Sequence, residues 1–214
     1  RPGNASSATA TACPARSATL AEAIVAHQYG RQPAWQTFGA SGRQKSLRDV
    51  GYHLAYLSEA LASDAPTLFA EYVIWVKALF AGLNFAPDAV AHTLDAASAV
   101  IHAQLPPDLA ACAEGYLAIG RASLDLAPNA PPLFVTDDLP LGGLAKDYLD
   151  ALLRGERHSA SQLILTAVAR GANVKDIYLH VFQRVQYEIG RLWQINQISV
   201  AQEHYCTAAT QLIM

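Results

Sequence analysis

Residues 141–214, LGGLAKDYLDALLRGERHSASQLILTAVARGANVKDIYLHVFQRVQYEIGRLWQINQISVAQEHYCTAATQLIM, decide the fold. Four helical patterns run through them. Leu141 to Leu153 stops at Arg154-Gly155, and Ser159 to Arg170 stops at Gly171, so each glycine stands where a left-handed C-terminal cap is expected. Val174 to Trp193 follows, with Ile177, Val181, Phe182, Val185, Ile189 and Leu192 at helical spacing. The last pattern opens at Ser199, where Ser199-Val200-Ala201-Gln202 has the form of a capping box. Four helices with short connections predict an antiparallel bundle.

Just upstream, Ala127-Pro128-Asn129-Ala130-Pro131-Pro132 is a run that neither a helix nor a central strand tolerates. It predicts a linker over 128–139 between a helical module at 17–127 and a bundle at 140–214. Within the module, Leu47, Val50, Leu54, Leu57 and Leu61 line one helix face. The next segment, from Pro66, carries Leu68, Phe69, Tyr72, Val73, Trp75, Val76, Leu79 and Phe80 around its whole circumference. That predicts a central, buried helix or half of a ligand pocket. Pro87-Asp88 opens a further helix, and Pro106-Pro107 ends it and starts another. Residues 1–16 are small and polar without periodicity, which predicts a disordered tail. No alternating strand pattern of useful length occurs, so the expected fold is all-α: an N-terminal helical bundle, then a four-helix bundle.

The composition narrows the function. The chain has 214 residues, 52% apolar and 15% charged, which excludes a chain disordered throughout. Fifteen Lys and Arg against eighteen Asp and Glu give a net charge of −3, with no basic excess to hold nucleic acid. The longest apolar stretch, Leu68 to Leu83, contains Glu71 and Lys77 and falls short of the roughly twenty apolar residues that span a bilayer. Cys13, Cys112 and Cys206 are odd in number and widely spaced, which favours a reducing, cytoplasmic setting over a disulfide framework. No nucleophile–base pair, phosphate loop or metal-ligand spacing is present, so a sensory or binding module is expected rather than an enzyme.

The chemistry concentrates in Tyr187-Glu188-Ile189-Gly190-Arg191-Leu192-Trp193 and Ile198-Ser199-Val200-Ala201-Gln202-Glu203-His204. Trp193 ends one helix, and Glu203 and His204 lie in the first turns of the next. A turn around Asn196 folds the two together, so indole, carboxylate and imidazole can face one cavity. Val200, His204, Thr207, Ala208 and Gln211 share a face. Such a set suits a flat aromatic or metal-centred ligand. Singly, each residue also has a plain structural role: a core indole, a carboxylate at a helix start, a satisfied histidine.

The segment from Leu152 to Met214 resembles the helical cap of cobalamin-binding proteins. A Trp, nine intervening residues and then Glu-His is the pattern of the light-sensing branch, which includes the CarH-like photoreceptor repressors. The resemblance implies a four-helix cap over the upper face of adenosylcobalamin. It places Trp193 beside the adenosyl group, Glu203 on its ribose and Val200 along the same pocket. His204 would stand ready to ligate cobalt once light removes that group. It further implies a light-dependent homo-oligomer or an attached effector. In the family a Rossmann-like domain with an Asp-x-His-x-x-Gly motif follows the cap; the motif does not occur here, so a fragment lacking that domain is expected. The alternatives are a corrinoid carrier subunit of a methyltransferase, which uses the same scaffold, and a cofactor-free helical interaction module.

The general architecture of the first module resembles the photocobilin subgroup, in which a helical module that binds biliverdin precedes the cobalamin part. This implies a bilin among Arg48, His53, Tyr56, Tyr72 and Trp75, with Arg43 and Lys45 as further cations for the propionates. Cys112 could attach such a chromophore or be a small buried residue. His92, Asp95 and His102 share a helix face opposite the apolar one and are expected to meet solvent.

Overall fold

The computed structural model describes residues 14–128 and 130–214. Among these the chain is all-α, without strands, and it divides into two compact units, residues up to 80 with 84–129 and residues 81–83 with 130–214. No described helix is long and apolar enough to cross a membrane.

The first unit contains α1 (Pro14–Arg31), a short 3₁₀ turn (Pro33–Phe38), α2 (Gly39–Ala62), α3 (Pro66–Gly82), α4 (Ala89–Gln104) and α5 (Pro107–Leu126). Pro14, Ala15 and Arg16 belong to α1, so the tail expected over residues 1–16 does not reach them; residues 1–13 lie outside the described ones. α1 packs on α2 and α4, and α5 on α2 and α4. α3 meets α5 where Gly120 leaves no room for a side chain: a Cβ there would fall 2.8 Å from the Phe69 ring. The core gathers Ile24, Val25, Leu54, Leu57, Phe69, Val73, Leu94, Ile101 and Leu117. α3 departs from its expected all-round burial. Phe69, Tyr72, Val73, Val76 and Ala78 are buried, but Trp75 is 39% exposed. Its amphiphilic rim includes Lys77, whose Nζ donates to the Leu124 and Ala127 carbonyls at 2.7 Å each and so caps the open end of α5.

The second unit contains α6 (Gly142–Leu153), α7 (Arg157–Ala169), α8 (Val174–Ile177), a π-helical segment (Tyr178–Phe182), α9 (Gln183–Gln194) and α10 (Val200–Ile213). The single helix expected over 174–193 is therefore interrupted by a wider turn, a feature that often marks functional positions. Gly155 and Gly171 adopt positive φ of 78° and 94° and close their helices as expected. Asn196, at φ 57°, makes the turn between α9 and α10. Ser199 and Gln202 form the complete capping box that starts α10. α6 touches α7, the π segment, α9 and α10, and its Tyr148 is fully buried at the centre.

One buried ion pair ties α9 to the chain leading into the unit. Arg191 Nη2 and Nε donate to Glu188 Oε1 at 2.5 and 3.0 Å, and the backbone N–H of Phe134 donates to Glu188 Oε2 at 2.9 Å. Both charged side chains are buried.

Candidate functional site

The capping box sets the first turn of α10, and Glu203 and His204 follow it directly. The His204 ring is 75% exposed, and its Nδ1 pairs with Glu203 Oε2. With Nδ1–H donated to the carboxylate, Nε2 carries the free lone pair, the tautomer that ligates metals. Glu203 is held from its other side, where the Thr207 hydroxyl lies 3.1 Å from Oε1. That hydroxyl is also 3.0 Å from Gln186 Oε1 on α9. Gln186 Nε2 in turn donates to Thr210 Oγ1 at 2.9 Å, and buried Tyr148 donates to the same oxygen at 3.1 Å. A polar chain thus runs from the exposed imidazole through α10 and α9 to the centre of the bundle. The sequence signals Thr207 only as a member of the His204 face. Gln186, Thr210 and Tyr148 carry no local signal, because their partners come from three helices.

Of the other residues of this constellation, Trp193 is half-buried against the second core, and Val200, first residue of α10, is exposed. Glu203 is joined to His204 through Oε2, and its Oε1 lies beside the Thr207 hydroxyl, so both its oxygens have partners within the unit. The Cys206 thiol behind it is buried, and desolvation, with the Glu203 charge second, pushes it up to about 11. It is an inert core group, not a nucleophile.

In the first unit, His53 Nδ1 and the Tyr72 hydroxyl are hydrogen-bonded at 2.7 Å, and the Tyr56 ring stacks on Tyr72 with centroids 3.8 Å apart. Arg48 is exposed beside Asp49, and Trp75 lies on the open side of α3. Two cavities adjoin His53, each with room for about one water molecule. They do not admit an open-chain tetrapyrrole. What the named residues offer instead is a surface stripe: Arg48, Tyr52 and Tyr56 follow at four-residue steps on α2, and Tyr56 meets Tyr72 of α3. Arg43 is engaged over the Tyr29 ring, 5.4 Å from its centroid. Cys112 is half-buried against the first core. His92, Asp95 and His102 share no site: His92 bonds Gln32, Asp95 lies 3.7 Å from Arg121, and His102 pairs with Glu114 at 3.1 Å.

Desolvation lowers His53 from its ordinary 6.5 to about 4. The folded ring then takes its proton near pH 4, whereas the unfolded ring takes it near 6.5. The first unit is therefore fully stable above about pH 6.5 and loses about 3 kcal/mol as the pH falls to 4. Denaturant midpoints measured across that range should fall for the wild type and flatten in His53→Gln; a pH-independent difference between the two would contradict this.

Among the described residues no three His, Cys, Asp or Glu side chains cluster to hold a metal ion alone. The exposed imidazole, its fixed tautomer and the half-buried indole nearby in sequence fit a metal-centred cofactor. No curated protein and no solved structure matches the chain. The family model described as the B12 binding domain does match, over residues 144–214, so the stretch from α6 to α10 is similar to that domain.

Proposed function

We propose that the chain is a light-sensing module whose second unit caps adenosylcobalamin and presents His204 as the protein ligand of the illuminated state. The observation that carries this reading is the Glu203–His204 pair, which leaves Nε2 free and outward-facing on the first turns of α10. Bound adenosylcobalamin would supply a cobalt–carbon bond that visible light can break. The protein's part is positional. The indole of Trp193 shields one side of the upper face. Glu203 keeps the imidazole correctly turned, and Thr207 keeps Glu203 in place. A methyl carrier has no need of a histidine poised above its cofactor, so the corrinoid-subunit reading leaves this pair unexplained.

Capture of His204 would pull on α10, and the hydrogen-bonded chain through Thr207, Gln186 and Thr210 to Tyr148 offers a path by which the bundle repacks. The output is a change of assembly or of an attached domain, with no catalysis by the module itself. For the first unit, biliverdin is the candidate chromophore, lying along the Arg48, Tyr52, Tyr56 and Trp75 surface rather than in the cavities at His53.

The test joins the chain to a Rossmann-like cobalamin domain, loads it with adenosylcobalamin in the dark and illuminates it. A lasting change in the cobalamin spectrum, with a change in oligomer size, is the expected result. An unchanged spectrum overturns the proposal. Biliverdin is tested separately, by a red absorption band that Tyr56→Ala should remove.

A further inference from the structure

Nothing in the fold requires residue 190 to be glycine. It lies in the interior of α9, where glycine weakens a helix relative to alanine because it has more backbone freedom to lose. Other glycines of the second unit show what compels one. Gly155 and Gly171 have positive φ, and a Cβ at Gly142 would strike the Thr136 carbonyl oxygen. Gly190 has no positive φ, and a Cβ built on it meets nothing within 4 Å. Open space, rather than a packed neighbour, stands over this position. Gly51, Gly115 and Gly143 are as open, so what sets Gly190 apart is its place.

That place follows from the packing of α9 on α10. Gln186, Gly190 and Trp193 succeed one another at four- and three-residue steps and share one face of α9. Gln186 is held against α10 by its bonds to Thr207 and Thr210. The two helices run back along each other from the turn at Asn196. One helical turn nearer to Asn196, Gly190 therefore stands on the side of Glu203, with Trp193 next along. The missing side chain leaves a half-buried notch in the α9–α10 groove, between an indole and a carboxylate.

A notch of this kind admits bulk without adding a charge or a hydrogen bond, so it discriminates by size. A methyl group above the cofactor would leave it empty, and the glycine would then weaken α9 for no return. We propose that Gly190 sets the size of the organic group that the second unit admits above cobalamin. Its missing side chain leaves room for a nucleoside, where a larger residue would restrict the site to a methyl group. The inference rests on the cobalamin reading given above and adds to it a residue that distinguishes forms of the cofactor.

The test titrates adenosylcobalamin and methylcobalamin in the dark into wild type and Gly190→Leu, each joined to a Rossmann-like cobalamin domain, with binding followed by calorimetry. Leucine is a good helix former and the position is open, so the variant's melting temperature should equal or exceed that of the wild type. Its affinity for adenosylcobalamin should fall at least about tenfold, because filling the notch forces the larger ligand against its surroundings. Its affinity for methylcobalamin should hold within about twofold, and Gly190→Ala should lie between the variant and the wild type. Equal loss for both cofactors, no loss for either, or a lowered melting temperature would overturn the proposal. In those cases binding of adenosylcobalamin by the wild type leaves the functional reading standing. A wild type that binds neither cofactor would overturn both.

Discussion

Glu188→Ala should destabilise the second unit by about 3–5 kcal/mol, a large share of the roughly 5–15 kcal/mol that holds a domain together. The truncation leaves the Arg191 guanidinium buried without a counter-charge and the Phe134 N–H without its acceptor. The cost arises from the groups left behind more than from the bond itself. The double change Glu188→Leu with Arg191→Met removes both charges and should therefore cost much less than Glu188→Ala alone. Urea unfolding followed by circular dichroism checks both statements. Equal midpoints for wild type and Glu188→Ala would mean that water reaches the pair.

How much of this was legible beforehand depends on how far apart the interacting groups lie. The caps at Gly155, Gly171 and Ser199 could be read because a cap is made by residues within one turn of each other. The all-α fold followed from apolar periodicity, and the turn at Asn196 from its place between two patterns. Glu188 and Arg191 stand at a visible i, i+3 spacing. Their burial was not visible, because it depends on the chain around Phe134, more than fifty residues away, covering them. The π-helical segment escaped notice because one widened turn leaves the apolar spacing of Ile177, Val181 and Val185 nearly unchanged. The spacing of α3 predicts a buried helix or half of a ligand pocket, but side-chain type alone does not reveal which residues stay open, and Trp75 is one of them.

The site divides in the same way. Trp193, Val200, Glu203 and His204 are visible as a pattern, and the structure adds a contact between two of them, Glu203 Oε2 with His204 Nδ1. The residues that fix the carboxylate, Thr207 and behind it Gln186 and Thr210, emerge only when α9 and α10 are packed. The resemblance implies a bilin among the aromatic residues of the first unit. Tyr56 stacks on Tyr72 there, and Tyr52, Tyr56 and Trp75 are exposed.

His204→Ala carries the second large effect. The imidazole is exposed and contributes nothing to the core, so the variant should fold and take up adenosylcobalamin in the dark as the wild type does. Under light it has no nitrogen to offer, and the protein-ligated spectrum should be lost entirely. Glu203→Gln should give an intermediate result. It keeps the size of the side chain but removes the charge that fixes the Nδ1 proton, and loss of such an outer partner weakens a metal ligand about 10- to 100-fold. Thr207→Val should fall between Glu203→Gln and the wild type.

The most direct measurement is the absorption spectrum after illumination of wild type and His204→Ala, each joined to a Rossmann-like cobalamin domain and loaded in the dark. A stable histidine-ligated cobalamin spectrum is expected in the wild type and a water-ligated one in the variant. Identical spectra from the two proteins would contradict it.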